Sequence, residues 1–72
     1  MDYPEIIKLI RGHLNLSQED LARELEVSFA TVNRWENGKS APSKMAKRLL
    51  LDLCRDKELP NEIVSKILNP NN

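Results

Sequence analysis

The chain holds one cysteine, Cys54, and one histidine, His13, in 72 residues. A lone thiol closes no internal disulfide, and one Cys with one His falls short of a structural zinc site, so neither metal nor cofactor is expected. Glycine is nearly as scarce. Gly12 and Gly38 fall in and at the end of helical patterns, which leaves no glycine-rich phosphate loop. No nucleophile pairs with a histidine and an acid, so an enzyme is not expected. Aromatics make up only 4% of the chain, and no alternating strand pattern competes with helix. Nothing resembles a signal peptide or an apolar run of about 20 residues, and the expectation is a soluble, cytoplasmic protein without membrane contact. At this length one domain is expected, near the size at which a single core is only just enough.

Net charge is also missing: 11 basic residues balance 11 acidic ones. The balance is uneven along the chain. Residues 1–26 carry three basic and six acidic groups, residues 27–48 five basic and one acidic, and residues 49–72 three basic and four acidic. The basic cluster is Arg34, Lys39, Lys44, Lys47 and Arg48. A charge cluster is often only a solvated face, but this one coincides with the most informative segment of the chain.

That segment runs from Leu16 to Lys39. Ser17 with Asp20 three residues later, ahead of Leu21, Ala22 and Leu25, forms a capping box that opens a helix. Ser28 caps a second helix on which Val32 and Trp35 share the core face. Only Glu26 and Val27 separate the two, a length suited to a sharp helix corner. Ala30, Asn33, Arg34 and Asn37 point away from the core. Small, amide and guanidinium groups on one face suit a DNA major groove, where methyl contacts read thymine, Asn reads adenine and Arg reads guanine.

Leu16-Ser17-Gln18, Leu21-Ala22, Leu25, Val27-Ser28, Thr31-Val32 and Arg34-Trp35-Glu36-Asn37-Gly38-Lys39 resemble the repressor-type (XRE-like) helix-turn-helix family, which includes the lambdoid phage repressors. The match extends from about Ile6 to Leu53. It implies an all-α bundle of four to five short helices, with the helix-turn-helix unit at about 17–37 and the third helix entering the major groove of double-stranded DNA. By the same resemblance Ser28, Phe29, Ala30 and Arg34 are groove residues, joined by Asn33 from the helical wheel. Gln18 is implied as a phosphate contact, and Thr31, Asn37, Lys39, Lys44 and Lys47 are expected to serve likewise. Arg11 and Glu36 match a family ion pair that ties the first helix to the end of the third. The sequence departs from the pattern at Glu26, where the family usually places a glycine with positive φ. A side chain there costs roughly 1 kcal/mol.

The rest of the chain fills out the bundle. Pro4 suits a first helical turn, and Ile6, Ile7, Leu9, Ile10 and Leu14 give that helix its apolar side. Asn15 suits a left-handed helix end. A fourth helix starts at Pro42 or Ser43 and is expected to bury Met45, Ala46, Leu49, Leu50, Leu53 and Cys54, with Leu51 off the stripe. A fifth follows Pro60 and uses Ile63, Val64, Ile67 and Leu68. The domain is placed at residues 1–68 and a disordered tail at 69–72. Phe29 has two readings, a thymine-methyl contact or a staple on its own helix. Leu51 and the last helix leave open a homodimer seam. The expected function is a sequence-specific transcriptional regulator, a repressor. The alternative is an antitoxin-like interaction module whose residues 55–72 bind a partner protein.

Overall fold

Asp2 caps the first helix by accepting the Glu5 backbone N–H in its side chain, and Pro4 in the first turn gives up no helical hydrogen bond. The structure, a computed structural model, describes residues 2–70. Asn71 and Asn72 of the expected tail lie outside the described residues, as does Met1. Among the described residues five helices follow in order: α1 (Tyr3–Leu14), α2 (Gln18–Leu25), α3 (Phe29–Glu36), α4 (Lys44–Asp56) and α5 (Asn61–Leu68). Among the described residues there is no strand.

Side-chain caps start three of the remaining helices. Ser17 and Asp20 form the reciprocal capping box of α2, while Ser28 accepts from Thr31 at α3 and Ser43 from Ala46 at α4. Helix α4 therefore begins at Lys44, with Ser43 as its cap. Helix α5 has no side-chain cap; Pro60 precedes it.

The first four helices are closed by one device. Asn15, Glu26, Gly38 and Glu58 all take positive φ, between 56° and 72°. The next residue's N–H reaches back to a carbonyl five residues earlier: Leu16 to Arg11, Val27 to Ala22, Lys39 to Arg34 and Leu59 to Cys54, at 2.9–3.0 Å. This satisfies the carbonyls a helix end leaves open. Three of the four residues after the turn, Leu16, Val27 and Leu59, pack against the core. The fourth, Lys39 at the end of α3, is exposed.

The core joins Ile6, Ile7 and Ile10 of α1 to Leu21 and Leu25 of α2, Val32 and Trp35 of α3, Leu50, Leu53 and Cys54 of α4, and Ile63 and Ile67 of α5. Helix α5 thus folds back to complete the core, and the Tyr3 hydroxyl fastens it by donating to the Ile67 carbonyl at 3.0 Å. Cys54 is fully buried, and burial pushes its thiol up to about 11. It acts as a small core residue.

The expected α4 stripe needs correction. Met45 is 75% exposed and Leu49 is exposed too, whereas Leu51 is half-buried against the core. The buried line runs Ala46, Leu50, Leu53, Cys54, a single face at i, i+4, i+7 and i+8. Helix α5 packs against α4, a tertiary contact that the α4 sequence cannot specify. Leu68 at the end of α5 is likewise exposed rather than core.

Candidate nucleic-acid interface

The corner between α2 and α3 depends on Glu26. Its backbone, at φ 56° and ψ 39°, turns the chain between Leu25 and Phe29, so α3 starts beside the end of α2 and packs across it. The first turn of α3 then faces solvent. Ser28, Phe29 and Ala30 are exposed, with 49% of Phe29 accessible, and Arg34 lies exposed one turn further along. Ser28 is the cap, and its hydroxyl also lies 2.8 Å from that of Thr31. Both hydroxyls thus work within the helix start, each able to accept a further hydrogen bond.

Behind this face lies a line of polar groups that holds α1, α2 and α3 together. Arg11 grips Glu36 with two parallel hydrogen bonds, Nε to Oε2 at 2.6 Å and Nη2 to Oε1 at 2.8 Å, and its Nη1 donates to the Leu16 carbonyl at 3.1 Å. This fork on a carboxylate is the strong geometry for an ion pair. Among the described residues Glu36 is the buried charged one, only 5% exposed. Burial pushes its carboxyl up, but hydrogen bonds from Arg11 and Gln18 outweigh this and hold it below the ordinary value. The hydrogen bond to Glu36 raises Arg11 in turn.

The line continues outward. Gln18 Nε2 donates to Glu36 Oε1 at 3.1 Å, Asn33 Nδ2 to Gln18 Oε1 at 3.2 Å, and Asn37 Nδ2 to Asn33 Oδ1 at 2.9 Å. Gln18, expected only as a phosphate contact, is therefore also the link between α2 and α3. It keeps one N–H free. Asn33 is half-buried rather than fully outward, with both ends of its amide engaged. Capping signals and apolar spacing do not reveal the Gln18–Asn33 link, because its partners lie 15 residues apart across the turn.

The basic residues divide by environment. Arg34, Lys39, Lys44 and Arg48 are exposed, and Asn37 is exposed at the end of α3. Lys47 is half-buried, with its ammonium 5.1 Å from the centre of the Tyr3 ring, a cation–π contact. No helix among the described residues is long and apolar enough to cross a membrane.

Two short helices joined by the three-residue corner 26–28, set among the described residues in a bundle of five helices and with one face of the second helix exposed, define a helix-turn-helix domain of the DNA-binding regulator type. The Helix-turn-helix family matches residues 7–53. The chain belongs to that family, in its XRE branch. Among curated proteins it is 39% identical over 54 residues to the type II methyltransferase M.MspI of Moraxella sp, covering 75% of this chain and 13% of that enzyme. It is 40% identical over 43 residues to the HTH-type transcriptional activator BcrR of Enterococcus faecalis, covering 60% of this chain and 21% of that activator. The chain thus spans less than a quarter of either relative's length. The likeness to the methyltransferase, limited to that small share, carries no methyl-transfer chemistry to this chain. No solved structure gives a significant match.

Proposed function

We propose that residues 1–68 act as one sequence-specific double-stranded DNA-binding domain that regulates transcription, a repressor where its site overlaps a promoter. The observation that carries this reading is the exposed α3 face backed by the Arg11–Glu36–Gln18–Asn33 hydrogen-bond line, which gives the helix a rigid footing. Arg34 reads a guanine, Asn33 an adenine, and Phe29 and Ala30 press thymine methyls, with Ser28 at the edge of the groove. Gln18, Thr31, Asn37, Lys39, Lys44 and Lys47 contact phosphates and set the register.

Selection from random duplex DNA on the purified chain at near-physiological salt, followed by sequencing, tests this. An enriched motif is expected, and two mirrored half-sites would add a homodimer on DNA. Arg34→Ala should cost about 1–3 kcal/mol of specific affinity and relax the preference at one base pair. Failure to enrich any sequence would overturn the reading.

A second reading has its own support. A groove of about 740 Å³ lies along α4 and the end of α5, lined by Met45, Leu51, Arg55 and Leu68 among others. Exposed Met45 and Leu68 there are apolar groups that a partner protein docking on residues 55–72 would cover. Loss of partner capture on Leu68→Asp, with DNA binding intact, would favour it.

A further inference from the structure

We propose that Glu36 and Gln18 are specificity-determining positioning residues: the buried carboxylate fixes which way the Asn33 amide faces, and thereby which base Asn33 accepts. This deepens the DNA-binding reading above and rests on it.

The donors and acceptors of these side chains fit together in one way only. An ionised carboxylate only accepts, whereas a primary amide has a donor end and an acceptor end that exchange places on a half-turn. Glu36 is buried and already receives two hydrogen bonds from Arg11. Gln18 must present Nε2 to it, since the reverse would set two oxygens together at the 3.1 Å separation. Gln18 Oε1 is then left for Asn33, which must answer with Nδ2, and Asn33 Oδ1 is left for Asn37. One charge therefore orders three amides in sequence. None of the three can turn alone without bringing like atoms together.

The consequence lies on the exposed side of α3. Asn33 retains one N–H and one oxygen lone pair, in directions set by its two neighbours. Adenine in the major groove offers N7 as an acceptor and N6 as a donor, so an asparagine in one orientation meets it with two hydrogen bonds. In the other orientation its oxygen faces N7 and both bonds are lost. A solvent-exposed asparagine rotates freely and is ordered only on binding, at an entropic cost. Asn33 is ordered beforehand. Its adenine preference is thus sharpened by residues that touch no base.

Two measurements test this. In DNA-free protein, the side-chain amide resonances of Asn33 and Asn37 should shift toward those of solvent-exposed asparagine in Gln18→Ala. That variant leaves the Arg11–Glu36 pair in place and keeps the fold testable if Glu36→Gln does not fold. Unmoved Asn33 resonances would show that no ordered line exists, and would overturn the proposal without touching DNA binding. In random-duplex selection, Gln18→Ala and Glu36→Gln should lower the adenine preference at a single motif position about tenfold, with the other positions retained. Loss of a phosphate contact alone would weaken every sequence alike and leave the motif unchanged, which would also overturn it. If the wild-type chain enriches no sequence while the amide resonances behave as expected, the DNA reading falls and takes the specificity role with it.

Discussion

Glu36 concentrates more of the structure in one side chain than any other residue. It is buried, it receives hydrogen bonds from α1 and α2, and it belongs to α3. Removing one partner of a fully buried ion pair costs roughly 3–5 kcal/mol. Here Arg11 keeps 24% of its side chain exposed, so Glu36→Gln should cost roughly 2 kcal/mol at pH 7 and lower the melting midpoint by roughly 8–16 °C. The pH dependence has a definite sign. The folded-state carboxyl titrates below its ordinary value of 4.5, so its stabilisation is fully present above that value and is lost as pH falls through the lowered one. Arg11, raised in the folded state, stays charged throughout. Melting curves of the two proteins should therefore converge on acidification below pH 4.5. A gap that stays constant down to pH 2.5 would show that the charge on Glu36 contributes nothing.

At the scale of the element, helix ends explain both what is strained and what the amino-acid pattern conceals. Glu26 and Glu58 hold left-handed backbone without the excuse of glycine. The αL conformation costs an L-residue about 1–2 kcal/mol, partly offset by the greater unfolded-state freedom glycine would bring. Glu26→Gly and Glu58→Gly should each stabilise the fold by about 0.5–1 kcal/mol, visible as a melting midpoint raised by about 2–8 °C. Asn15→Gly should change little, because asparagine tolerates αL. A lower midpoint for Glu26→Gly would mean that its side chain supports the corner. The same positions mark the limits of reading the sequence. Asn15 and Gly38 are recognisable as helix ends by residue type, and Ser17, Ser28 and Ser43 as caps. Glu26 is recognisable only because the family resemblance aligns it with a glycine, and Glu58 carries no local signal at all. Helix spacing placed Ile63 and Ile67 inside, yet put Met45 and Leu49 inside as well. Two faces of α4 are apolar, and the position of α5 chooses between them. The Arg11–Glu36 pair followed from the resemblance. The Gln18–Asn33–Asn37 extension did not, since it exists only once the corner has set α2 against α3.

For the whole molecule, size and charge distribution limit how it can hold DNA. Its extents are 27 × 23 × 21 Å, shorter than the roughly 34 Å between successive major-groove faces on one side of B-DNA. On the proposed reading one chain therefore spans one groove segment, and a two-fold site requires a second reading unit. Balanced net charge removes general attraction to a polyanion, so affinity must come from the local excess in residues 27–48. The basic groups there are Arg34, Lys39, Lys44, Lys47 and Arg48, and at most these five are expected to neutralise phosphates. With each contact contributing a slope of about −0.9 in log affinity against log salt, one chain should show a slope no steeper than about −4.5. Individual lysines should differ by their surroundings. Lys44 is exposed and free to reach a phosphate, so Lys44→Ala should flatten the slope by about 1 and weaken all sequences alike. Lys47 is occupied with Tyr3, whose hydroxyl ties α1 to α5, so Lys47→Ala should lower the melting midpoint slightly and change the slope less. Equal slopes for wild type and Lys44→Ala would remove the start of α4 from the DNA-contacting surface. A slope well beyond −4.5 on a single half-site would require two chains at each site.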